Sequence, residues 1–366
     1  MTLRILYDHQ IFLAQMYGGI SRYYYEIANR ISEMGKDVEI IAPFYINVYF
    51  LEDCLVRPRG IKIPHFPIIA RILLEGLNPV LSCLLAKPGR KVDIFHETYY
   101  SNFDCCPPSA KRVITVYDMI HEKFPGSLSH RVRKTKAHAV KRADHVICIS
   151  ENTRRDLIEL LGIPEEKTTV VHLGHSLSVQ KASVYPIDVG IPFILYVGSR
   201  GGYKNFEGLL RAYGHSQRLQ NDFSLVCFGG GKFKSSELEL MKSLNIPRSK
   251  IRYLSGADDV LAGLYASAAA LICPSFYEGF GIPPLEAMSF GCPVACSNTS
   301  SLPEVVGDAA EFFDPAAEDQ ISSAIERIVY TPEITDLMIN RGHERIKKFS
   351  WDKCSRETLM VYENIL

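Results

Sequence analysis

The sequence predicts an α/β protein built from two doubly wound domains, each a parallel sheet covered by helices. Three observations carry this. The chain has 366 residues, about twice the usual domain length. Short β-branched runs alternate with segments of helical period from end to end, the pattern of βαβ units. The alternation lapses once, in SLSVQKASVYPIDVGIP at residues 176–192, where no long apolar period survives.

Taken in order, LRILY is a strand, GGISRYYYEIANRISEMG a helix, and DVEIIAP, VDIFHE, RVITVYD, HVICIS and TVVHL are further strands. They form a first domain expected over residues 1–180. A second series runs FILYVGS, a helix over 205–219, SLVCFGG, a helix over 235–244, IRYLSG, LYASAAALICPS, a helix opening at Pro283, PVACSN and AAEFFDP. These form a second domain expected over 188–349. The tail FSWDKCSRETLMVYENIL has helical period, and a helix over 350–366 is expected to pack back on the first domain. Ligands of such folds bind in the crevice beyond the strand C-termini.

Composition narrows the function. Lys plus Arg and Asp plus Glu number 41 each, so no global field favours nucleic acid. Ten cysteines are scattered, several within strand-like runs where thiols act as small hydrophobes, which suggests a reducing compartment. Cys292 and Cys296 lack the second Cys/His pair of a zinc site, and no metal is expected. MTLRILYDHQ lacks a signal-peptide pattern. PHFPIIARILLEGLNPVLSCLL is broken by Arg71, Glu75 and internal prolines, so no membrane span is expected. A cytoplasmic protein follows, with any membrane contact peripheral.

Chemistry concentrates in PSFYEGFGIPPLEAMSFG, residues 274–291, where Glu278 and Glu286 stand eight positions apart. Strand, glycine turn and a helix opening on prolines make an anion site, since helix-start amides and the dipole face outward. YVGSRGGYKN repeats the pattern and adds Arg200 and Lys204, suited to a diphosphate. MYGGISRYYYEIANRI supplies a third such turn at Gly18 and Gly19. Three phosphate-friendly turns with two carboxylates that accept hydroxyl hydrogens fit a nucleotide diphosphate joined to a sugar. The triple glycine of VCFGGGKF is a weak dinucleotide fingerprint, because its glycines are consecutive. SHRVRKTKAHAVKR, residues 129–142, carries basic residues and no acid. On a helix Arg131, Lys134, His138 and Arg142 share one side, either a solvated face or a contact for anionic lipid or a pyrophosphoryl lipid.

These residues resemble the family 4 retaining glycosyltransferases of GT-B architecture, two Rossmann-like domains facing each other across a cleft, and among them bacterial O-antigen and capsule mannosyltransferases. The signature is a Glu, seven residues and a Glu within EGFGxPxLEA; here it reads EGFGIPPLEA. GGISRY, VITVYDMIHEKFP, YVGSRGGYKNFEGLLRAY, SNTSSLPEVVGDAAEFFDP and the terminal FSW helix extend the likeness over nearly the whole chain. The resemblance implies that Glu278 faces the donor sugar, near the amides of Phe280 and Gly281. It implies that Glu286, beside Leu285, accepts from ribose hydroxyls and that Arg200 and Lys204 hold the diphosphate with Gly18 and Gly19. Relatives place the arginine directly after the first glycine, where this chain has Ser199. They also carry a histidine where this chain has Tyr117, next to a retained Asp118. The candidates for the missing imidazole are His121 and His96; the alternative is that Tyr117 bonds the sugar through its own phenol.

The expected activity is therefore retaining transfer of a hexosyl unit, mannosyl by resemblance, from a nucleotide diphosphate sugar to a growing or lipid-linked glycan. Catalysis is expected from positioning and charge stabilisation, with no cofactor, no metal and no nucleic acid partner. GDP-mannose is the favoured donor, ahead of UDP-sugars. The alternatives are a glycoside hydrolase, a sugar-nucleotide epimerase of the same architecture, and a non-catalytic nucleotide-sugar-binding subunit of a synthase.

Overall fold

In the computed structural model, which describes residues 2–49, 54–63, 68–86, 91–126, 129–177, 187 and 189–366, each run read above as a strand contains a parallel strand. The chain divides into two units, Met1–Gly174 with Trp351–Leu366, and His175–Ser350. The expected linker over 176–192 lies largely outside the described residues.

The first unit contains β1 (Arg4–Tyr7), α1 (Gln10–Ala14), α2 (Gly19–Glu33), β2 (Asp37–Tyr45), β3 (Pro58–Lys62) and α3 (Ile68–Ala86). It continues with β4 (Ile94–Glu97), β5 (Lys111–Val116), α4 (Ile120–Lys123), α5 (Ser129–Arg142), β6 (His145–Cys148), α6 (Glu151–Leu161) and β7 (Thr168–Val170). The second unit runs β8 (Phe193–Val197), α7 (Phe206–His215), α8 (Gln217–Asp222), β9 (Ser224–Phe228), α9 (Ser235–Ser243), β10 (Ile251–Leu254), α10 (Asp258–Ser267) and β11 (Ala270–Cys273). Then follow α11 (Ile282–Ser289), β12 (Val294–Ser297), α12 (Leu302–Val306), β13 (Glu311–Phe313), α13 (Glu318–Tyr330) and α14 (Pro332–Ile346); α15 (Trp351–Asn364) belongs to the first unit.

Among the described residues the first sheet has the order β3-β2-β1-β4-β5-β6-β7 and the second β10-β9-β8-β11-β12-β13, with every pairing parallel. Both orders reverse once, between β1 and β4 and between β8 and β11. At such a reversal neighbouring strands send their following loops to opposite faces, leaving a crevice at their C-terminal ends. Strand β3, PRGIK, was not evident in the sequence. It is an edge strand whose central residues are exposed, so it needs no apolar alternation. The helix expected over 205–219 is broken at Ser216, where extended backbone lets the Ser216 hydroxyl accept from the Leu219 amide and cap α8, a strong helix-start preference of serine.

Helix α2 forms because Tyr23, Tyr24, Ile27, Ala28 and Ile31 recur on one face and are buried, the stripe of an amphipathic helix. Helix α15 lies against it: Trp351 packs on Tyr23 at a centroid distance of 6.3 Å, and Arg30 pairs with Asp352 at 2.7 Å. Beneath them the Tyr362 hydroxyl meets Tyr7 at 3.1 Å and His96 Nδ1 at 2.6 Å, while His96 Nε2 lies 3.0 Å from Thr115 Oγ1. His96 is therefore a core residue joining β4, β5 and α15, which corrects its expected contact with sugar or acceptor. Both ring nitrogens have partners, and burial lowers its pKa from 6.5 to about 3.

The cysteines also depart in one place from the expected set of free thiols. Cys83 of α3 and Cys105 of the loop after β4 form a disulfide, whereas Cys148, Cys227, Cys292, Cys296 and Cys354 are buried free thiols. Among the described residues no helix is long and apolar enough to cross a membrane.

A histidine whose folded pKa is depressed leaves the unfolded chain binding more protons, so its stabilising contribution is complete above pH 6.5 and is lost as pH falls towards 3. The wild type should lose stability over this interval more steeply than His96→Gln, by a few kcal/mol in order of magnitude. Urea unfolding at a series of pH values checks this; parallel curves would place the proton uptake elsewhere.

Candidate functional site

The crevice side of the second sheet is built by the loops that leave β8 and β11. The first loop turns through Gly202–Lys204 and enters α7 at Asn205, whose backbone is left-handed and whose Nδ2 donates to the Pro315 carbonyl at 2.7 Å. The second follows Cys273, and its Phe276 amide donates to the Tyr203 carbonyl at 2.8 Å. Tied in this way, the loops bring Lys204 Nζ within 2.7 and 2.8 Å of the two Glu278 carboxylate oxygens. The Ser275 hydroxyl donates to Glu278 Oε1 at 2.7 Å. Burial pulls the Lys204 pKa down, but the charge and hydrogen bond of Glu278 outweigh it and raise it above its ordinary value, so the ammonium stays protonated.

Three consecutive hydroxyls behind this turn hold its backbone. Thr299 Oγ1 donates towards the carbonyls of Ser275 and Phe276, at 3.3 and 3.1 Å. The Ser300 hydroxyl accepts from the Glu278 amide at 2.9 Å, and Ser301 Oγ lies 2.8 Å from the carbonyl oxygens of both Glu278 and Phe280. Ser300 has φ of 53°, a left-handed conformation uncommon outside glycine. Gly281, which opens α11, has φ of 117°, where a side chain would be strained. The sequence offered a signal for this clamp in the hydroxyl run SNTSS directly after β12, but only the fold shows what those hydroxyls hold.

Glu286 is the fifth residue of α11, past its first turn, buried, and accepts from the Tyr265 hydroxyl at 3.3 Å. Ser289, one turn on, donates from its hydroxyl to the Leu177 carbonyl at 2.9 Å and to the Glu286 carbonyl at 2.7 Å. The Leu285 and Phe280 side chains are buried, with Phe280 edge-on to Phe349 at 5.7 Å. Their contribution to a ligand is limited to backbone.

Arg200 is placed differently from expectation. Its side chain is 1% exposed. Nε donates to Glu237 at 3.0 Å, Nη1 to the Gly229 carbonyl at 2.9 Å, and Nη2 to the carbonyls of Gly231 and Lys232 at 2.7 and 2.9 Å. The guanidinium also lies over Phe233, 4.6 Å from its centroid. Its donors serve the protein, so Arg200 braces the triple-glycine loop rather than offering a free fork to a diphosphate. That loop has left-handed backbone at Gly229, Gly230 and Gly231, and a Cβ on Gly230 would come within 2.9 Å of the Gly198 carbonyl. Glycine is required there for close approach to the β8 loop.

In the first unit, Gly18 and Gly19 begin α2 as expected of the turn. The Gln15 side-chain oxygen takes the Ser21 amide at 3.1 Å, and a Cβ on Gly18 would lie 2.2 Å from that oxygen, whereas one on Gly19 meets nothing within 4 Å. Tyr117 is buried, edge-on to Tyr23 at 5.9 Å, with its hydroxyl beside that of Tyr24. Burial, then the neighbouring Tyr24 and Tyr23, push its pKa well up. Asp118 Oδ1 accepts the Ile120 amide at 3.0 Å just ahead of α4, which carries the partly buried His121.

Two basic residues of α5 turn inward. Lys136, fully buried, donates to the Asp118 carbonyl at 2.9 Å and to Glu122 at 2.8 Å. Arg142 Nη2 lies 2.8 Å from both Glu97 oxygens, which corrects its expected place on the outer face. Burial still pushes Glu97 up to about 7 against the pull of Arg142. Beyond β1 and β4 lies a cavity of about 370 Å³ whose wall includes His9, Gln10, Tyr99, Asn102 and Arg131. Asp8 holds the two loops together by accepting the Thr98 amide at 2.9 Å and the Gln10 side chain at 2.6 Å. Asp8 and His9 went unremarked in the sequence, where DHQ after a strand is an unspecific signal.

Residues 17–179 match the model of Glycosyltransferase Family 4, and residues 180–345 match that of Glycosyl transferases group 1. The chain is 31% identical to O-antigen chain mannosyltransferase B of Escherichia coli, over 70% of this chain and 71% of that one. It is 27% identical to O-antigen chain mannosyltransferase RfbU of Salmonella typhimurium, over 67% of each. Its fold is also that of Anabaena HepE, solved in complex with UDP and glucose, with a TM-score of 0.73, 15% identity and 99% of each chain covered. Two Rossmann-like α/β units, an EGFG turn and helix presenting paired glutamates, and these matches identify the chain as a member of the family 4 glycosyltransferases of GT-B type.

Proposed function

We propose that the protein transfers a mannosyl unit, from GDP-mannose in preference to a UDP-sugar, to a hydroxyl of a growing or lipid-linked surface glycan, with retention and without a metal ion. The observation that carries this reading is the Lys204–Glu278 pair at the β8/β11 reversal, with Glu286 in the second turn of the adjoining helix. The mannosyl choice is supported by what the two O-antigen relatives are named for.

Lys204 and Glu278 satisfy one another in this structure, at 2.7 and 2.8 Å. A donor can open the pair without leaving either charge alone, because its phosphates attract the ammonium while its sugar hydroxyls donate to the carboxylate. As the bond from the anomeric carbon to the diphosphate breaks, negative charge grows on the phosphate oxygen. In this reading Lys204 and the amide of Ile282, which opens α11 ahead of two prolines, stabilise that charge. The acceptor hydroxyl attacks the anomeric carbon from the same face, and its proton passes to the departing phosphate oxygen. Glu286 takes the ribose hydroxyls, and the Gly18–Gly19 turn is assigned by resemblance to phosphate binding. Arg200 acts on the donor only through the loop it braces.

Thermal-shift measurements with GDP, UDP and dTDP sugars test the donor, and the largest stabilisation is expected from GDP-mannose. Lys204→Ala should reduce transfer by roughly a hundredfold or more; unchanged turnover would remove Lys204 from the diphosphate. Because Lys204→Ala leaves a mostly buried carboxylate unpaired, Lys204→Met with Glu278→Gln should regain stability but not transfer. Glu286→Gln should weaken nucleoside diphosphate binding about tenfold, measured by calorimetry, and unchanged affinity would count against the ribose role. Ser301→Ala removes the hydroxyl shared by the carbonyls of Glu278 and Phe280, at a cost of about 1–3 kcal/mol. It should raise KM for the donor more than it lowers melting temperature; a purely structural role would leave KM unchanged.

A further inference from the structure

The disulfide between Cys83 and Cys105 stands apart from the remaining cysteines, which are free thiols and mostly buried. Both of its residues are partly exposed, beside the exposed Leu84 on one element and the exposed Phe103 and Asp104 on the other. A chain rich in free thiols suits a reducing compartment, and a disulfide in such a place is of the transient, redox-sensing kind. Its position gives it something to control. Cys83 follows Pro79 by one turn of α3, and Cys105 follows Phe103 by two residues in the loop after β4. Pro79 and the stretch Tyr99–Phe103 both line the cavity of about 370 Å³ beyond β1 and β4. The bond therefore ties one wall of that cavity to another.

The other restraints on the loop lie at its two ends. At the start, Asp8 accepts the Thr98 amide at 2.9 Å, and the buried Tyr100 ring has the Lys136 ammonium 5.3 Å from its centroid. At the end, Cys106 and Ala110 pack on the cluster of Leu6, Val92 and Phe95. Asn102, Phe103 and Asp104 between them are exposed. Within this stretch the Phe103 amide donates to the Ser101 hydroxyl at 3.0 Å, a bond internal to the loop. Asp104 pairs with Arg112, but its carboxylate is 58% exposed, and exposed ion pairs hold weakly. The neighbouring thiol of Cys106 does not compete for the disulfide. Burial raises its pKa, and its Sγ donates towards the carbonyls of Pro107 and Ala110 at 3.5 and 3.7 Å, so it stays out of the thiolate form that exchange requires.

We propose that Cys83 and Cys105 form a reversible thiol–disulfide switch on this cavity. Oxidised, the bond holds the α3 and loop walls together; reduced, it lets Ser101–Asp104 move away from α3. The inference goes beyond the proposed transfer and concerns the cavity whichever ligand it takes. The reductant is a dithiol. One of its thiolates attacks a sulfur of the pair, the S–S bond breaks, and the released thiolate takes a proton. The second thiol of the reductant then displaces the mixed disulfide, leaving two thiols on the chain and one disulfide on the reductant. The full chain is equilibrated in dithiothreitol buffers of graded reduced-to-oxidised ratio, alkylated and read by peptide mass. Cys83 and Cys105 should be protected together in the oxidising buffers and alkylated together in the reducing ones, and Cys106→Ser should behave as the wild type. Hydrogen exchange reads the walls: reduction should speed amide exchange over residues 99–106 roughly tenfold or more. Cys83→Ser with Cys105→Ser should show the faster exchange in every buffer. The comparison of oxidised with reduced wild type decides the matter even where the double variant folds poorly. Alkylation of both cysteines in the most oxidising buffer would overturn the proposal, as would equal loop exchange in the two states. A pair still protected in the most reducing buffer would also overturn it and make the bond a fixed structural one.

Discussion

A lysine ammonium and a glutamate carboxylate, both mostly removed from water, have to be kept within hydrogen-bond distance in the crevice of the second unit. Either charge alone at that depth would be strongly destabilising, whereas the pair is tolerable and can be opened by a ligand that offers both an anion and hydroxyl donors. Much of the local architecture serves this constraint. The reversal of strand order brings the β8 and β11 loops together, the Tyr203–Phe276 hydrogen bond fixes their separation, and Thr299, Ser300 and Ser301 hold the carboxylate's own backbone. The left-handed backbone of Gly281 then lets the chain turn directly into α11, where Glu286 stands.

One glycine turn carries two cations with opposite fates. Lys204 points at Glu278, while Arg200 enters a cage made by the triple-glycine loop, Glu237 and the face of Phe233. A guanidinium has enough planar donors to satisfy several converging carbonyls at once, which an ammonium on a flexible stem does less well. The GGG run that is weak as a nucleotide fingerprint is thus strong as an arginine-binding loop. In a sequence window the two cations look interchangeable, since charge and spacing do not record which carbonyls will converge.

The first unit repeats the lesson with other residue types. His96, at the end of a strand, has the sequence context of a ligand-binding histidine, yet the Tyr7–Tyr362 network takes it into the core and burial keeps it neutral. Arg142 and Lys136 belong to a helix that reads as uniformly basic, but Glu97 and Glu122 draw them inward and leave a smaller outer face. Helix α3 mixes the two, burying Asn78 and Ser82 and packing Leu85 on the core while Leu73, Leu77 and Leu84 are exposed.

The sequence by itself determined the fold class, the positions of nearly all strands and the paired-glutamate turn, because those depend on local period, glycine and proline, and on a motif long enough to be specific. It did not determine edge strand β3, which needs no apolar alternation, or the break at Ser216. Tertiary structure alone decided that Lys204 meets Glu278, that Arg200 and His96 are interior braces, and that Thr299, Ser300 and Ser301 clamp the glutamate turn. These outcomes turn on which distant groups compete for a donor, over separations such as that between residues 204 and 278. Side-chain periodicity and charge report only what a residue can do; burial and the available partners decide what it does.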